Sequence, residues 1–319
     1  MRTEVAKSIT EEIDKIFCLL LKANKWQILA ARLQKQLQTK TNALQKEAIE
    51  AAIVKINEFG DALTEGDIAA IINDLSDSLS VEVVTSLKTT VTQTQLSAFK
   101  ESYKELDLKF QFNEPNQKAL AWLEQDQMYW IKNRYDADLR GLLLEGAKDV
   151  IQEGQSLEQQ GKAFSDLLKN TYGQNKSYYQ GLSNHIVTRS REFARVDGYN
   201  EAGIEQVEIV AVMDARTSLI CQELNGKIIT VSSLAKQRDK LMNAKNPEDV
   251  KKIAPFWSDK MTEETFGTAI AKSLILKSYE PLLNKIKKFL KITKADKLPS
   301  TIGLPPYHFN CRTRTVPVI

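Results

Sequence analysis

Three side chains that can bind metals or act as nucleophiles stand out in this sequence. His308 and Cys311 lie three residues apart near the end of the chain, in PPYHFNCRTR, and Cys221 lies in the earlier segment DARTSLICQELNG. Zinc takes about four tetrahedral ligands, usually cysteine thiolates and histidine nitrogens. If the two segments meet in the fold, Cys221, His308 and Cys311 supply three ligands, and Asp214 or a water supplies the fourth.

The same residues leave other interpretations open. They could form a metal-free knot of hydrogen bonds, or the cysteines could form a disulfide or take part in catalysis. A thiol protease needs a Cys/His pair in which the histidine acts as base, and the sequence shows no recognisable third member. Hydrolytic zinc needs an open coordination position and a general base, for which Asp214 or Glu223 could serve.

The elements around these residues predict a small α+β unit. The segments 207–213, 227–231 and 313–319 are rich in β-branched residues and predict three short strands. An Asn-Gly dipeptide at 225–226 predicts a turn before the second strand. Pairing between the first and last strands would bring the end of the chain next to its middle.

A short helix is predicted between the first two strands, over residues 215–223. Asp214 is expected to be its N-cap, because an aspartate carboxylate accepts hydrogen bonds from the amides of the first turn. Asp214, Ser218 and Cys221 then fall on one face of that helix.

The rest of the chain predicts helix. Residues 1–200 have apolar residues at helical spacing and contain little proline or glycine. The predicted fold is therefore mainly α, with an elongated helical N-terminal region over 1–110 and a second helical part over 111–203. A small α+β domain follows over 204–319 and contains a helical insertion at about 232–300.

Composition excludes some classes of protein. The 319 residues carry a net charge of +3, and three cysteines are too few for a disulfide scaffold, which favours a reducing compartment. No secretory signal peptide is recognisable, and no apolar run approaches the ~20 residues of a membrane span. Residues 231–300 hold 15 Lys and Arg against 8 Asp and Glu. These lysines could bind DNA phosphates or anionic lipid, or could form an ordinary solvated face.

The segments DARTSLICQELNG and PPYHFNCRTR together resemble the C-terminal domain of the phage Mu protein F-like (head morphogenesis) family of minor head proteins. That family pairs Asp-x-Arg-Thr-Cys-x-x-Cys-x-x-Leu-x-Gly with a Pro-Pro-x-His-x-x-Cys-Arg-Cys ending. The matching residues are Asp214, Arg216, Thr217, Cys221, Leu224, Gly226, Pro305, Pro306, His308, Asn310, Cys311 and Arg312. Ser218 and Thr313 stand where many relatives carry cysteine, so a four-ligand zinc site inferred from the family would be incomplete here.

The resemblance implies a structural protein of a tailed-bacteriophage head. Such a protein associates with the portal or inner capsid during assembly in the host cytoplasm, and then belongs to the virion head with the packaged DNA. An enzyme is the alternative hypothesis, in which the C-terminal unit is a metal-dependent nuclease or a toxin-like effector and the Lys-rich insertion holds phosphates. A third hypothesis is a DNA-binding head protein without chemistry.

Overall fold

The structure is a computed structural model that describes residues 2–59, 64–132, 176–214, 217–245, 303–308 and 311–318, with positions 162, 166, 249, 250 and 253. The helices are α1 (Arg2–Phe59), α2 (Glu65–Glu105), α3 (114–132), α4 (Lys176–Glu201), α5 (Leu219–Leu224) and α6 (Val231–Met242). The strands are β1 (Gln206–Val210), β2 (Ile228–Thr230) and β3 (Arg314–Pro317). These elements confirm the prediction of a mainly α chain that ends in a small α+β unit.

Helix α4 connects the long helices to the sheet. It packs against α1 and α2 along one part of its length, and against α6 and β3 along another. Leu37 of α1, Leu87 of α2 and Ile186 of α4 are fully buried in one apolar cluster between the three helices. Burying each such side chain contributes roughly 1.5–3 kcal/mol, so these contacts fix α4 in place.

The three strands form an antiparallel sheet in the order β2-β1-β3. Val207 and Ile209 alternate with more exposed residues along β1, and both are fully buried beneath the helices. Val207 is opposite Ile229 of β2, whereas Ile209 is opposite Thr315 of β3. The predicted pairing between the middle and the end of the chain is therefore present, and it delivers Cys311 to the side of α4.

The outer edge of the C-terminal segment is covered by polar side chains of α4. Thr188 Oγ1 donates a hydrogen bond to the Cys311 carbonyl (3.3 Å), and Arg191 Nη2 donates to the Thr313 carbonyl (3.3 Å). These donors satisfy backbone groups that a bare edge strand would leave unpaired.

The same edge is held most closely at Thr315. Arg195 Nη1 donates to the Thr315 carbonyl (2.5 Å), and a Glu192 carboxylate oxygen accepts from both the Thr315 amide (3.1 Å) and its hydroxyl (2.6 Å). Arg195 Nη2 also donates to the Glu105 carboxylate of α2 (2.5 Å). We call Thr188, Arg191, Glu192, Arg195 and Glu105 the α4 clamp, because together they hold the last strand against the helices.

Parts of the sequence prediction fall on residues that the structure does not describe. These are the Lys-rich insertion beyond position 253, most of 133–175, and the motif residues Arg216 and Asn310. Of the helices in the described ranges, none has the length and apolarity needed to cross a lipid bilayer.

Candidate metal centre

Cys221 is brought to the centre by α5, which folds back between β1 and β2. The helix ends at Leu224, and the next residues turn sharply because Gly226 takes a positive φ of 77°. Asn225 fastens the turn to β1, since its side-chain oxygen accepts a hydrogen bond from the Ala211 amide (2.8 Å). Cys221 is consequently buried on the side of α5 that faces the apolar cluster.

His308 and Cys311 are positioned by the loop that precedes β3. The Leu304 amide donates to Gln237 Oε1 of α6 (2.9 Å), which anchors the start of this loop. The Tyr307 hydroxyl donates to the Gly303 carbonyl (3.1 Å), and the Cys311 amide donates to the His308 carbonyl (3.2 Å). These bonds fold the loop tightly and point the two side chains toward α5.

Cys221, His308 and Cys311 form a compact group that could hold a metal ion. Their ligand atoms all lie within 4.8 Å of one another. The Cys221 and Cys311 sulfurs are 3.7 Å apart, and the Cys221 sulfur is 3.3 Å from His308 Nε2. Both thiols are buried, whereas the imidazole is partly exposed. The sequence prediction that these three side chains could meet is realised in this geometry.

The two thiols differ in their acidity. Burial raises the pKa of Cys311, but the Cys221 hydrogen bond, the charge of His308 and two backbone amides outweigh it, so that this pKa lies below its usual value. The hydrogen bond to Cys311, together with burial, raises the pKa of Cys221. Cys311 is therefore the preferred thiolate of the pair, and the thiolate is the form that binds metals.

Asp214 does not join this group. Both of its carboxylate oxygens accept hydrogen bonds from the Arg312 guanidinium, at 2.7 and 2.6 Å. The prediction that Asp214 caps the following helix is wrong, because α5 begins at Leu219 and its N-cap is Ser218. The Thr217 hydroxyl accepts from the Asp214 amide (2.8 Å) and donates to the Val212 carbonyl (2.5 Å), which turns the backbone away from an early helical start.

Ser218 and Thr313, which stand where the resembled motif has cysteine, both adjoin the group. Ser218 Oγ is 2.8 Å from His308 Nε2, and because its hydroxyl is engaged there it makes no capping bond to α5. Thr313 is 1% exposed, and its hydroxyl is buried beside Cys221 without a hydrogen-bond partner among the described residues. The residues that line the cleft beside the group are Val212, Thr217, Ser218, Cys221, His308, Arg312 and Thr313.

The other motif residues in the described ranges support the centre from outside. Leu224 is 1% exposed and packs in the apolar cluster, and Pro305 and Pro306 are buried in the loop before His308. Gly226 supplies the turn after α5 with its positive φ. The motif thus combines three side chains that could hold a metal ion with residues that hold the two segments together.

A second set of buried polar residues lies next to the centre and was not predicted from the sequence. Arg189 is 1% exposed and His185 is fully buried one turn before it on α4. Burial lowers the pKa of His185 well below its usual value, with further contributions from Arg189 and His308. Burial raises the pKa of Asp126 on α3 to about 6, although Arg189 opposes the shift. The sequence indicates these residues only through the polar run RSREFAR inside a predicted helix, and a polar run of this kind usually faces solvent.

Comparisons with known proteins add no further assignment, because no family model, no curated protein and no solved structure matches this chain.

Proposed function

We propose that this chain is a structural protein of a tailed-bacteriophage head that associates with the portal or inner capsid. We further propose that a zinc ion on Cys221, His308 and Cys311 closes its C-terminal unit. One observation carries the proposal: the two halves of the resembled motif, far apart in the sequence, meet at a single centre. The ligand atoms of that centre lie within 4.8 Å of one another.

The donor set fits zinc. Two thiols and one imidazole nitrogen are the soft and borderline ligands that zinc takes in structural sites. At a Zn–S distance of ~2.3 Å, a tetrahedral ion separates two sulfurs by about 3.8 Å. The 3.7 Å between the Cys221 and Cys311 sulfurs therefore needs almost no adjustment. Asp214 is a poorer candidate for the fourth ligand, since Arg312 binds both of its oxygens.

Bound zinc would link α5 to the segment before β3. Cys221 would hold the ion from α5, while His308 and Cys311 would hold it from the other side. The ion would thus add a second link between these segments, beside the ion pair of Asp214 and Arg312. Metal binding of this kind contributes directly to folding free energy, because the unfolded chain has no preformed site. The role supported here is structural, since the thiols are buried and the remaining motif residues support the backbone.

Elemental analysis tests whether the protein binds zinc. Protein purified without added metal should contain about one zinc per chain. Cys311→Ser and His308→Ala should each lose the zinc and lower the melting temperature. Cys18→Ser changes the third cysteine, and it should retain the zinc and the wild-type melting temperature. Much less than one zinc per wild-type chain would contradict the zinc proposal and favour the metal-free knot of hydrogen bonds.

Assembly experiments test the head protein independently. When the chain is co-expressed with the portal and capsid proteins of its phage, it should co-purify with the portal and appear in assembled heads. Deletion of its gene should reduce the yield of infectious particles. Virions of normal composition and infectivity after the deletion would contradict the proposed function, whatever the metal content.

A nuclease assay with Zn²⁺, Mg²⁺ or Mn²⁺ distinguishes the enzymatic alternative from the proposed structural role. The proposed structural role predicts no DNA cleavage above the level of the His308→Ala variant. Cleavage that His308→Ala abolishes would favour the nuclease and contradict a purely structural centre.

A further inference from the structure

The metal group has two hydroxyl neighbours where a closed zinc site would have further cysteines. Ser218 Oγ lies 2.8 Å from His308 Nε2, and the Thr313 hydroxyl is buried on the same cleft with no hydrogen-bond partner among the described residues. Neutral hydroxyl groups are not among the usual protein ligands of zinc, which are thiolate, imidazole and carboxylate. Neither residue therefore completes a tetrahedral site, but each can hydrogen-bond to a ligand that does.

The group also opens on one side. Ser218, His308 and Arg312 line a cleft beside it, and the imidazole of His308 is partly exposed while both thiols are buried. Within the described ranges, no fourth His, Cys, Asp or Glu belongs to the group. The nearest carboxylate in the motif, that of Asp214, is already bound at both oxygens by Arg312.

We propose that the metal has three protein ligands and a fourth, exchangeable position that faces this cleft. A water molecule fills that position, and a small anion such as a carboxylate displaces the water. The inference rests on the proposed zinc site and goes beyond it, because it assigns the centre a ligand-binding surface. Sites with three protein ligands and a water are the form in which zinc stays accessible to other molecules.

Charge supports an anion in particular. A divalent ion bound by two thiolates and one neutral imidazole has no net charge, whereas three or four thiolates would give a negative centre that repels anions. Arg312 also lines the cleft, but Asp214 balances its charge, so the absence of a net negative charge at the metal is what admits an anion. The replacement of two family cysteines by Ser218 and Thr313 thus changes the charge of the centre as well as its ligand count.

Cobalt substitution tests the open position. Co²⁺ is bound by the same donors, and cobalt–thiolate charge-transfer and visible d–d bands report its ligands. The full-length Co²⁺ protein should show both sets of bands, and titration with azide should shift the visible bands to a saturating end point. Ser218→Ala should still give a saturable shift of the visible bands, but at a higher azide concentration, because the hydroxyl can hydrogen-bond to the fourth ligand without being a metal ligand itself.

Two variants should close the position. Ser218→Cys, or Thr313→Cys if the first does not fold, would supply a third thiolate, raise the charge-transfer intensity by about half and abolish the response to azide. A wild-type cobalt spectrum that azide does not change would overturn the open position while leaving the metal site in place. Absence of any cobalt–thiolate band would overturn the proposed metal site, and the open position with it.

Discussion

Arg312 binds both carboxylate oxygens of Asp214, and so joins the residue after Cys311 to the segment that leads into α5. The two N–O distances are 2.7 and 2.6 Å, and 98 residues separate the partners. The pair lies at the rim of the Cys221, His308 and Cys311 group, with side chains 25% and 36% exposed. Its position makes it an ion-pair clasp that operates whether or not a metal is bound.

The clasp should make a small but measurable contribution to stability. Asp214→Asn and Arg312→Gln should each lower the free energy of unfolding by about 0.5–1 kcal/mol, because the pair is bidentate but partly exposed to water. Urea denaturation of both single variants and the double variant gives the coupling between the two residues. A coupling near zero at low salt would show that the clasp contributes nothing.

The sequence predicted the parts of this centre that follow from local pattern. β-Branched runs indicated the three strands, and the Asn-Gly dipeptide indicated the turn at Gly226. The start of α5 was predicted incorrectly because a local reading assigns the Asp214 carboxylate to the nearest amides. In the fold that carboxylate is taken by Arg312, a partner that no local pattern identifies.

The α4 clamp was missed for a related reason. Thr188, Arg191, Glu192 and Arg195 recur at helical spacing and have the composition of a face exposed to water. They are buried because β3 places an edge of unpaired backbone groups beside them, and because Glu105 of α2 supplies a balancing charge. Only the three-dimensional arrangement of α2, α4 and β3 makes that burial favourable.

Arg195 is the member of the α4 clamp whose loss should be most costly. Arg195→Met would remove the cation that pairs with the Glu105 carboxylate and would leave Glu192 paired with Arg191 alone, and it should lower the free energy of unfolding by about 3–5 kcal/mol. Lys55→Met is the control, since it removes a similar charge from an exposed pair with Asp74 and should cost less than about 1 kcal/mol. Equal losses in urea denaturation would contradict a special role for the clamp.

Gly303 should be intolerant of any side chain. Its φ is +131°, and an added Cβ would lie 2.1 Å from Cδ1 of the buried Ile229 side chain of β2, so alanine requires that side chain, β2 or the loop before His308 to move. Gly303→Ala should cost about 1–3 kcal/mol more than Gly203→Ala, a position with φ of +69° and open space around it. Both the overlap and the backbone contribute to the difference, because a φ of +69° lies in the left-handed region that alanine can adopt whereas +131° lies outside it. Equal losses in urea would contradict both contributions.

Asp126 should make the protein less stable as the pH rises. Burial raises its pKa from 3.8 to about 6, so between these values the folded state holds more protons than the unfolded state. Stability from this group is therefore highest below about pH 4 and falls until about pH 6, by about 3 kcal/mol in total. Asp126→Asn removes the titration, and it should gain about 2–3 kcal/mol relative to wild type between about pH 3.5 and pH 7 in urea denaturation.

Asp67 provides a control of the opposite sign. Hydrogen bonds from the Thr64 side chain and backbone lower its pKa, so its contribution is present above pH 3.8 and is lost as the pH falls through the lowered value. Asp67→Asn should therefore lose stability relative to wild type as the pH rises from acid, whereas Asp126→Asn gains it. If the stability difference from wild type changed with pH in the same direction for both variants, a general effect of removing a carboxylate would explain both. That result would contradict the burial of an unfavourable charge at Asp126.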